Sequence, residues 1–376
     1  MKKTGEYQAP PLVWKRTLSG KWIQGPKDGW PSKRILAEKP RVISGVAIPA
    51  VQWKTRLTGP SFSLVADVDN VFIANGPNVN QYVFRSGSKG IISATANVID
   101  LKLTKKSVVC ALADGTLQSY SRKTSALEWK SSEADIAGSY GLTSFPSGWL
   151  VSSEVGSVLA FDAVGQPLWR FNPPDGSLGM FPSMSMGRGV YVSGETHIYR
   201  IDEKNGRLIW KSRVAERGTT TPAVALGLVF VAGTQGGITC LDATTGKVRW
   251  NRQGLQHNIG DESFVGVAIV GIVAVAMTTQ GGVWAYNLET GKELWRRHYA
   301  ESFRLAPEVD VKRRLLIIYG NTVGSLARPE LLGIDVMTGK IQWTARVGKL
   351  DAMPVIVGDR IWVASSIGTL YAFYYG

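Results

Sequence analysis

The sequence predicts an all-β fold, an eight-bladed β-propeller, and three observations lead to it. A tryptophan recurs along most of the chain at intervals of 40 to 48 residues, each time at the end of a similar phrase. Short apolar runs bounded by Gly and Asp fill each interval, with no segment of helical period. The two ends of the chain hold strand-like segments that complete each other. Self-similarity of this length is typical of repeat architectures.

The repeated phrase places Asp or Asn, then Gly, then Trp at four-residue steps. The acceptor side chain can bind the turn backbone, and Gly can adopt the positive φ that such a hairpin needs. Weaker copies end at Trp129 and Trp169. The full copies are Asp202–Gly206–Trp210, Asp242–Gly246–Trp250, Asn287–Gly291–Trp295 and Asp335–Gly339–Trp343. We expect all these residues, together with Trp53, to dock neighbouring blades.

The clearest repeat, residues 221–250, shows what one unit builds. Its four apolar segments are Pro222–Leu226, Leu228–Ala232, Ile238–Asp242 and Val248–Trp250. Segments of this length separated by turns predict a four-stranded antiparallel meander. One such sheet cannot bury its own faces. We therefore expect the sheets to pack radially, with each Trp between its own blade and the next.

The number of blades depends on two degenerate units. The unit at residues 60–93 has Ser93 where a Trp would fall, so seven blades is the fallback. The last unit stops at Gly376 before its fourth strand, and Val51–Leu57, which contains Trp53, can supply that strand. Pairing the two ends closes the ring and removes exposed sheet edges. The sequence thus predicts a single propeller over residues 46–376, preceded by an arm over residues 1–45.

These phrases resemble the propeller repeat of the pyrroloquinoline-quinone type, in which an Ala-x-Asp-x-x-x-Gly-x-x-x-Trp signature docks neighbouring blades. The resemblance covers roughly residues 46–376 and is most specific in the four full copies. The family includes quinone-dependent alcohol dehydrogenases. It also includes the non-enzymatic propeller lipoprotein of the outer-membrane β-barrel assembly machine, which is closer to this chain in size. Membership implies the fold, but neither a cofactor nor an activity.

Two features of the sequence lead us to expect a cytoplasmic location. Lys2 and Lys3 are not followed by a hydrophobic segment or an acylatable Cys, so the chain lacks the export signal of its lipoprotein relative. Cys110 and Cys240 fall in predicted strands of distant blades, where buried small side chains fit better than a disulfide. A reducing compartment is the simplest interpretation. The sequence contains no run of eighteen apolar residues, so no membrane-spanning segment is predicted.

Residues 1–45 concentrate positive charge. They hold ten Lys or Arg and three acids, so +7 of the chain's +14 lies in an eighth of its length. Three alternatives are open: the arm is stapled to the flank of the ring, it docks on a protein with an acidic surface, or it binds nucleic acid. The residues proposed to meet a partner are Trp14, Lys15, Arg16, Trp22, Trp30, Lys33 and Arg34.

Motifs for catalysis are absent from the sequence. The resemblance implies a vicinal Cys pair in quinone enzymes, and no adjacent cysteines occur here. His197, His257 and His298 lack metal-ligand spacing, and we expect His197 to be structural. No nucleophile elbow, phosphate loop or HExxH sequence is present. We therefore predict no catalytic residue, no metal and no cofactor.

A second candidate contact surface comes from extra loop length. Asn251–Ser263, Arg296–Leu305 and Asn321–Leu331 lengthen three neighbouring units on the face opposite the Asp–Gly turns. Loops on a rigid frame are common binding surfaces, although ordinary variation in loop length is an equal alternative. The residues proposed for this face are His257, Asp261, Glu262, Arg296, Arg297, His298, Arg304 and Arg328.

Taken together, the sequence predicts a non-enzymatic scaffold that docks in a larger assembly through its arm and its loop-rich face. A preformed ring loses little conformational entropy on binding, which suits this role. The alternatives are a nucleic-acid-associated propeller that uses the basic arm and a quinone- or small-ligand-binding enzyme. The expected partners are proteins with an acidic surface; nucleic acid is possible, and no small-molecule substrate is expected.

Overall fold

The computed structural model describes most of the chain. The described residues are 12–16, 22–26, 49–57, 63–131, 139–153, 157–175, 184–186, 189–214, 219–233, 237–252, 264–300, 302–303, 305–321, 329–366 and 368–375. Within these ranges the chain forms strands and turns and no helix. The strands near the start are β1 (Leu12–Arg16) and β2 (Trp22–Pro26), which pair as an antiparallel hairpin, and β3 (Pro49–Arg56).

The next sixteen strands form four antiparallel sheets, which we call blades 1 to 4. Blade 1 consists of β4 (Ser63–Ala66), β5 (Asn70–Asn75), β6 (Asn78–Val83) and β7 (Gly87–Ser93). Blade 2 consists of β8 (Val98–Leu103), β9 (Ser107–Leu112), β10 (Leu117–Ser121) and β11 (Leu127–Lys130). Blade 3 consists of β12 (Ser139–Phe145), β13 (Gly148–Ser153), β14 (Val158–Asp162) and β15 (Pro167–Phe171). Blade 4 consists of β16 (Met184–Met186), β17 (Gly189–Ser193), β18 (His197–Ile201) and β19 (Leu208–Arg213).

The remaining strands form blades 5 to 8. Blade 5 consists of β20 (Ala223–Ala225), β21 (Leu228–Ala232), β22 (Ile238–Asp242) and β23 (Val248–Arg252). Blade 6 consists of β24 (Phe264–Val270), β25 (Val273–Thr278), β26 (Gly282–Asn287) and β27 (Glu293–His298). Blade 7 consists of β28 (Glu308–Asp310), β29 (Leu315–Asn321), β30 (Pro329–Asp335) and β31 (Ile341–Arg346). Blade 8 consists of β32 (Val355–Val357), β33 (Arg360–Ser365), β34 (Thr369–Tyr375) and the early strand β3.

The two ends of the propeller close the ring in blade 8. Strand β3 pairs antiparallel with β34, with Trp53 opposite Ala372 and Arg56 opposite Thr369. The degenerate segment at residues 63–93 forms the complete blade 1. The prediction of eight blades closed by the terminal strands is therefore confirmed, and the seven-bladed fallback does not apply.

The apolar core is divided into clusters that each join two neighbouring blades. Phe230 and Trp250 of blade 5, for example, pack with Tyr286 of blade 6, and Leu64 of blade 1 packs with Trp362 of blade 8. Eight such clusters run around the described ring and return to their start. The first strands of adjacent blades also contact one another, which places them nearest the axis. The fourth strands consequently form the outer wall.

A Trp–Gly contact recurs between neighbouring blades. The indole of Trp210 in blade 4 lies against Gly246 of blade 5, so closely that a Cβ added to Gly246 would lie 2.6 Å from Trp210 Cδ2. The Trp210 Nε1 also donates a hydrogen bond of 3.2 Å to the Ala243 carbonyl. The same geometry joins Trp169 to Gly206, Trp250 to Gly291 and Trp295 to Gly339.

The turn before each of these glycines has the chemistry that its sequence suggests. Asp242 Oδ1 accepts hydrogen bonds from the backbone amides of Thr244 and Thr245, and Gly246 adopts a φ of 71°. In the weaker copy of blade 2, Ser125 replaces the glycine and adopts a φ of 59°. Turns at the other three full copies have glycine φ values of 65° to 68°. The positive φ is thus a property of the turn, which glycine adopts at low cost.

A β-bulge occurs in every one of the eight outer strands. In blade 4, Trp210 pairs with Arg200 and Leu208 with Ile201, so Ile209 is the extra residue. Seven of the eight bulges place the extra residue directly before a Trp, and the eighth is at Lys89 in β7. A bulge increases local twist and makes an edge strand a poor template for further pairing. The outer wall is therefore protected against strand addition.

Arginines replace the Trp–Gly contact on both sides of the closing blade. Arg360 of blade 8 is 9% exposed, donates to the Val68 carbonyl of blade 1 and lies 3.8 Å from the centroid of the Phe84 ring. Arg313 of blade 7 binds Asp310 and Asp359 and lies 3.7 Å from the centroid of the Tyr375 ring. The closing blade is thus joined to its neighbours by buried or half-buried cations on aromatic rings.

Replacing Gly246 with alanine should destabilise the ring more than the same change at Gly227. Both glycines have positive φ, 71° and 73°, but a Cβ at Gly246 meets the Trp210 ring, whereas a Cβ at Gly227 meets nothing within 4 Å. We expect about 1 kcal/mol of backbone strain in both variants, and a further 1–3 kcal/mol of overpacking in Gly246→Ala only. Urea unfolding midpoints measure the difference, and equal midpoints would contradict the docking geometry.

Replacing Arg360 with methionine should weaken the closure between blades 8 and 1. The variant keeps the apolar stem but loses the hydrogen bond to Val68 and the cation–π contact with Phe84, together worth roughly 2–4 kcal/mol. Arg346, which is exposed and pairs with Glu330, provides the control Arg346→Met. Hydrogen exchange of β3 and β34 should rise in Arg360→Met and not in the control. A uniform change around the ring would speak against a local role in closure.

Candidate interaction surfaces

The outer wall consists of the eight fourth strands, β3, β7, β11, β15, β19, β23, β27 and β31. In β19, Trp210 faces the next blade while Ile209 and Lys211 on either side of it are exposed. This alternation follows from the two-residue period of a strand. Ser212 then turns inward and donates to the Gly246 carbonyl of blade 5, and Arg213 is again exposed.

The structure places Arg296, Arg297 and His298 differently from the sequence prediction. We predicted that they project from a blade connection, but all three lie in the outer strand β27, because this strand continues for three residues beyond Trp295. Arg296 is exposed and pairs with Glu293 at 2.8 Å, while Arg297 donates to the Thr338 carbonyl of blade 7 at 3.4 Å. Their proposed role in binding a partner stays a prediction.

Partial burial keeps His298 from carrying a positive charge at neutral pH. Desolvation lowers the pKa of its imidazole from 6.5 to about 4. The side chain is therefore neutral near pH 7.

Most of the other predicted contact residues cannot be placed. His257, Asp261, Glu262, Arg304 and Arg328 of the loop-rich face lie outside the described residues, as do Trp30, Lys33 and Arg34 of the arm. Trp14, Lys15, Arg16 and Trp22 belong to the hairpin of β1 and β2. The sequence of the arm has little strand periodicity, so this hairpin is a feature that sequence analysis did not predict. The arm and the loop face both stay predictions as binding surfaces.

Asp175 forms a polar cluster that the sequence did not reveal. Its carboxylate accepts hydrogen bonds from Thr196, from the His197 amide at 3.1 Å and from Tyr199 Oη at 2.5 Å, and it lies 3.1 Å from His197 Nδ1. Burial acts to raise the pKa of Asp175, but these hydrogen bonds outweigh it and hold the pKa at about 2. The cluster connects the segment after blade 3 to the β17–β18 turn of blade 4. The sequence gives no sign of this cluster, because Asp175 is about twenty residues away from its partners.

A half-buried acid lies in the innermost strand of blade 7. Desolvation raises the pKa of Glu308 in β28 from 4.5 to about 7, and the charge of Lys102 in the innermost strand of blade 2 opposes that rise. A shift of this size marks a candidate functional group, although structural acids also show it.

The described residues hold no group of three His, Cys, Asp or Glu side chains that could bind a metal ion. Cys110 and Cys240 are free and buried, and burial raises the pKa of each thiol to about 12. Such thiols are unreactive in any compartment. The described residues contain no helix that could span a membrane.

Comparison with known proteins identifies the family. The family model described as outer membrane protein assembly factor BamB matches residues 154–374, more than half of the chain. The chain belongs to the BamB family. This confirms the resemblance inferred from the repeated phrase.

Individual relatives match less of the chain. Outer membrane protein assembly factor BamB of Bordetella pertussis is 29% identical over 151 residues, which are 39% of this chain and 38% of that protein. The protein of the same name from Moranella endobia is 25% identical over 225 residues, 54% of this chain and 56% of that protein. The chain thus aligns with about half or less of the length of these curated relatives.

Solved structures agree on the fold alone. BamB from Moraxella catarrhalis superposes with a TM-score of 0.69 at 17% identity, covering 87% of this chain and all of that structure. Sqt1 from Saccharomyces cerevisiae gives a TM-score of 0.68 at 12% identity, with 88% of this chain and all of that structure covered.

The prediction of a cytoplasmic location is wrong. The relatives that match the sequence are named as outer membrane protein assembly factors. The argument from cysteines failed because Cys110 and Cys240 are buried far apart, so they would stay unpaired in an oxidising compartment too. The argument from the N-terminus relied on a missing signal, and such an absence says nothing about location.

Glu308 and His298 should give opposite dependences of stability on pH. The folded pKa of Glu308 is raised, so its contribution to stability is present below pH 4.5 and is lost as the pH rises to about 7. The folded pKa of His298 is lowered, so stability is lost as the pH falls from 6.5 to about 4. Each effect is at most roughly 3 kcal/mol.

Glu308→Gln should therefore be more stable than the parent protein at pH 7.5 and similar to it at pH 4.5. His298→Gln should show its gain at pH 4.5 and little change at pH 7.5. Urea midpoints at pH 4.5, 6.0 and 7.5 measure both. If the urea midpoint of a variant differs from that of the parent by the same amount at all three pH values, the burial of these groups is contradicted.

Proposed function

We propose that this protein is a rigid, non-enzymatic scaffold that binds other proteins during the assembly of outer membrane proteins. The observation that carries the proposal is the closed ring of eight docked blades in a chain of the BamB family. A closed ring displays its surface without folding on binding, so little entropy is lost when a partner docks.

The two predicted contact surfaces give this proposal its finer form. The basic arm of residues 1–45 would supply anchors and charge, and the loop-rich face of blades 5 to 7 would supply a second contact. Oppositely charged surfaces raise association rates and favour one partner over another. Nucleic-acid binding and a quinone-dependent activity are the alternatives, and no specific observation favours either.

Co-purification with and without the arm tests the proposal. The protein with a C-terminal tag is isolated from its native source after nuclease treatment and compared with a version that lacks residues 1–40. That deletion leaves β3, which begins at Pro49, free to close the ring. We expect outer-membrane assembly proteins in stoichiometric amounts with the full chain and at least tenfold less without the arm.

A matched variant separates the arm from the fold. Trp14→Ala/Trp22→Ala/Trp30→Ala keeps the length and charge of the arm and should reproduce the loss if these residues are anchors. Retention of partners by both variants would reject the arm and leave the ring as the scaffold. Absence of assembly proteins from every preparation would reject the proposed function, and nuclease-sensitive nucleic acid in their place would favour the first alternative.

A further inference from the structure

The positive charge of the ring is concentrated on its outer wall. The eight outer strands contain twelve Lys or Arg and only two Glu, a net charge of +10. Residues 46–376 outside these strands contain 21 Lys or Arg and 24 acidic residues. The excess of cations in the propeller therefore belongs to the wall alone.

The strand geometry points these cations outward. The residue after the docking Trp is Lys or Arg in five of the seven outer strands that have one, and each of the five is exposed. Because side chains alternate along a strand, a Trp that faces the next blade requires its neighbour to face away from that joint. The five residues are Lys54, Lys130, Arg170, Lys211 and Arg296.

The outer strands of blades 3, 4 and 5, which are β15, β19 and β23, contain no acidic residue. They hold five Lys or Arg, one more than the outer strands of blades 7, 8 and 1, which also lack acidic residues. Lys211 and Arg213 of β19 form no ion pair with any described residue. Half-exposed aliphatic side chains accompany them, Leu168 at 45% and Ile209 at 48% exposure. We call this surface the basic arc and define it by Arg170, Lys211, Arg213 and Arg249 with Leu168 and Ile209.

Protection of sheet edges does not account for the arc. Lysine is the charged residue that most often protects an edge strand, but eight of the twelve cations are arginine, and edge protection gives no reason for that choice. The bulge in each outer strand already hinders pairing. The prevalence of arginine thus calls for a different cause.

We propose that the basic arc docks the acidic face of a folded protein partner. Its arginines are already oriented: Arg170 Nη2 donates to Ser157 Oγ at 3.1 Å, and Arg249 Nη2 to Asp242 at 2.8 Å. Oriented guanidinium groups suit specific carboxylate geometry, and Arg is enriched at protein interfaces. A bilayer is less well matched, because the tryptophans of the arc's outer strands face the neighbouring blades and no aromatic side chain of these strands is exposed to enter lipid.

This inference rests on the proposed scaffold function and specifies one contact surface for it. It differs from the predicted arm and loop face, whose proposed contact residues include none from β15, β19 or β23. Since strand pairing is hindered by the bulges, the contact is assigned to side chains rather than to the open edge of the sheet.

Site-specific crosslinking in cells tests the proposal. A photoreactive amino acid at Ile209 of the full chain should trap one protein, and the crosslinked segment of that protein should be rich in Asp and Glu. The same amino acid at Leu226, which is 67% exposed in the β20–β21 turn, should not trap it. Lys211→Glu/Arg213→Glu should lower the yield at Ile209 at least tenfold.

A charge-matched control variant distinguishes an effect of the charges in the basic arc from an effect of the protein's net charge. Lys204→Glu/Lys247→Glu makes the same change of four units at exposed turn residues outside the wall and should leave the yield within twofold. Replacing the partner's crosslinked acids with Lys should restore crosslinking to the arc variant. Equal thermal midpoints of the two variants show that neither has lost its fold.

Three outcomes would overturn the proposal: no protein crosslink at Ile209, a crosslink to a segment without acids, or equal losses in the arc variant and its control. Vesicles of phosphatidylglycerol and phosphatidylethanolamine provide the lipid arm of the test. If vesicles bind the parent protein but not the arc variant, and no protein is trapped, the arc binds anionic lipid instead. If the arc fails while assembly proteins still co-purify with the full chain, the scaffold function stands and only this surface is rejected.

Discussion

The contact of a tryptophan with the glycine of the next blade holds successive blades of this ring together. Each blade is a small sheet with two apolar faces, and it can bury them only against its neighbours. The indole covers a large apolar area. Because glycine has no Cβ, the indole can lie directly against the turn of the next blade. The Nε1 hydrogen bond to the neighbouring carbonyl then sets the orientation of the indole. A flat ring, a missing Cβ and one hydrogen bond thus determine the spacing of successive blades.

In the described part of the ring, the Trp–Gly contact is missing on both sides of the closing blade, blade 8. Blade 8 is assembled from both ends of the chain and carries no Asp–Gly–Trp phrase of its own. Arg313 and Arg360 fill the two joints beside it, each over an aromatic ring. A buried guanidinium is costly unless it is paired or hydrogen-bonded, and here carboxylates, a backbone carbonyl and ring faces meet that need. The closing joints therefore add arginine contacts to their apolar packing, which includes the buried Trp343 and Trp362, whereas the four joints between blades 3 and 7 have the Trp–Gly contact.

Sequence reasoning succeeded where the determinants are local and failed where they are not. The Asp242–Gly246 turn could be predicted because its acceptor, its amides and its positive φ lie within five residues. Arg360 could not, since its partner Val68 is 292 residues away and no pattern links the two. The hydrogen bonds of Asp175 span about twenty residues and leave no periodic trace. The placement of Arg296 failed for a simpler reason, because the end of a strand beyond its Trp is not marked by a turn residue.

Side chains alternate along each outer strand, so the residues that stabilise the ring are not the residues that set its surface charge. In β19, Trp210 is confined by Gly246, and a change at either position disturbs two blades. Lys211 and Arg213 face solvent and bind no described partner, so the fold accepts almost any polar residue there. The sign of their charge is consequently not a requirement of the ring. A bias toward cations that recurs at the exposed positions of successive blades, while the rest of the propeller is slightly acidic, therefore reflects what the wall meets rather than how the wall is built.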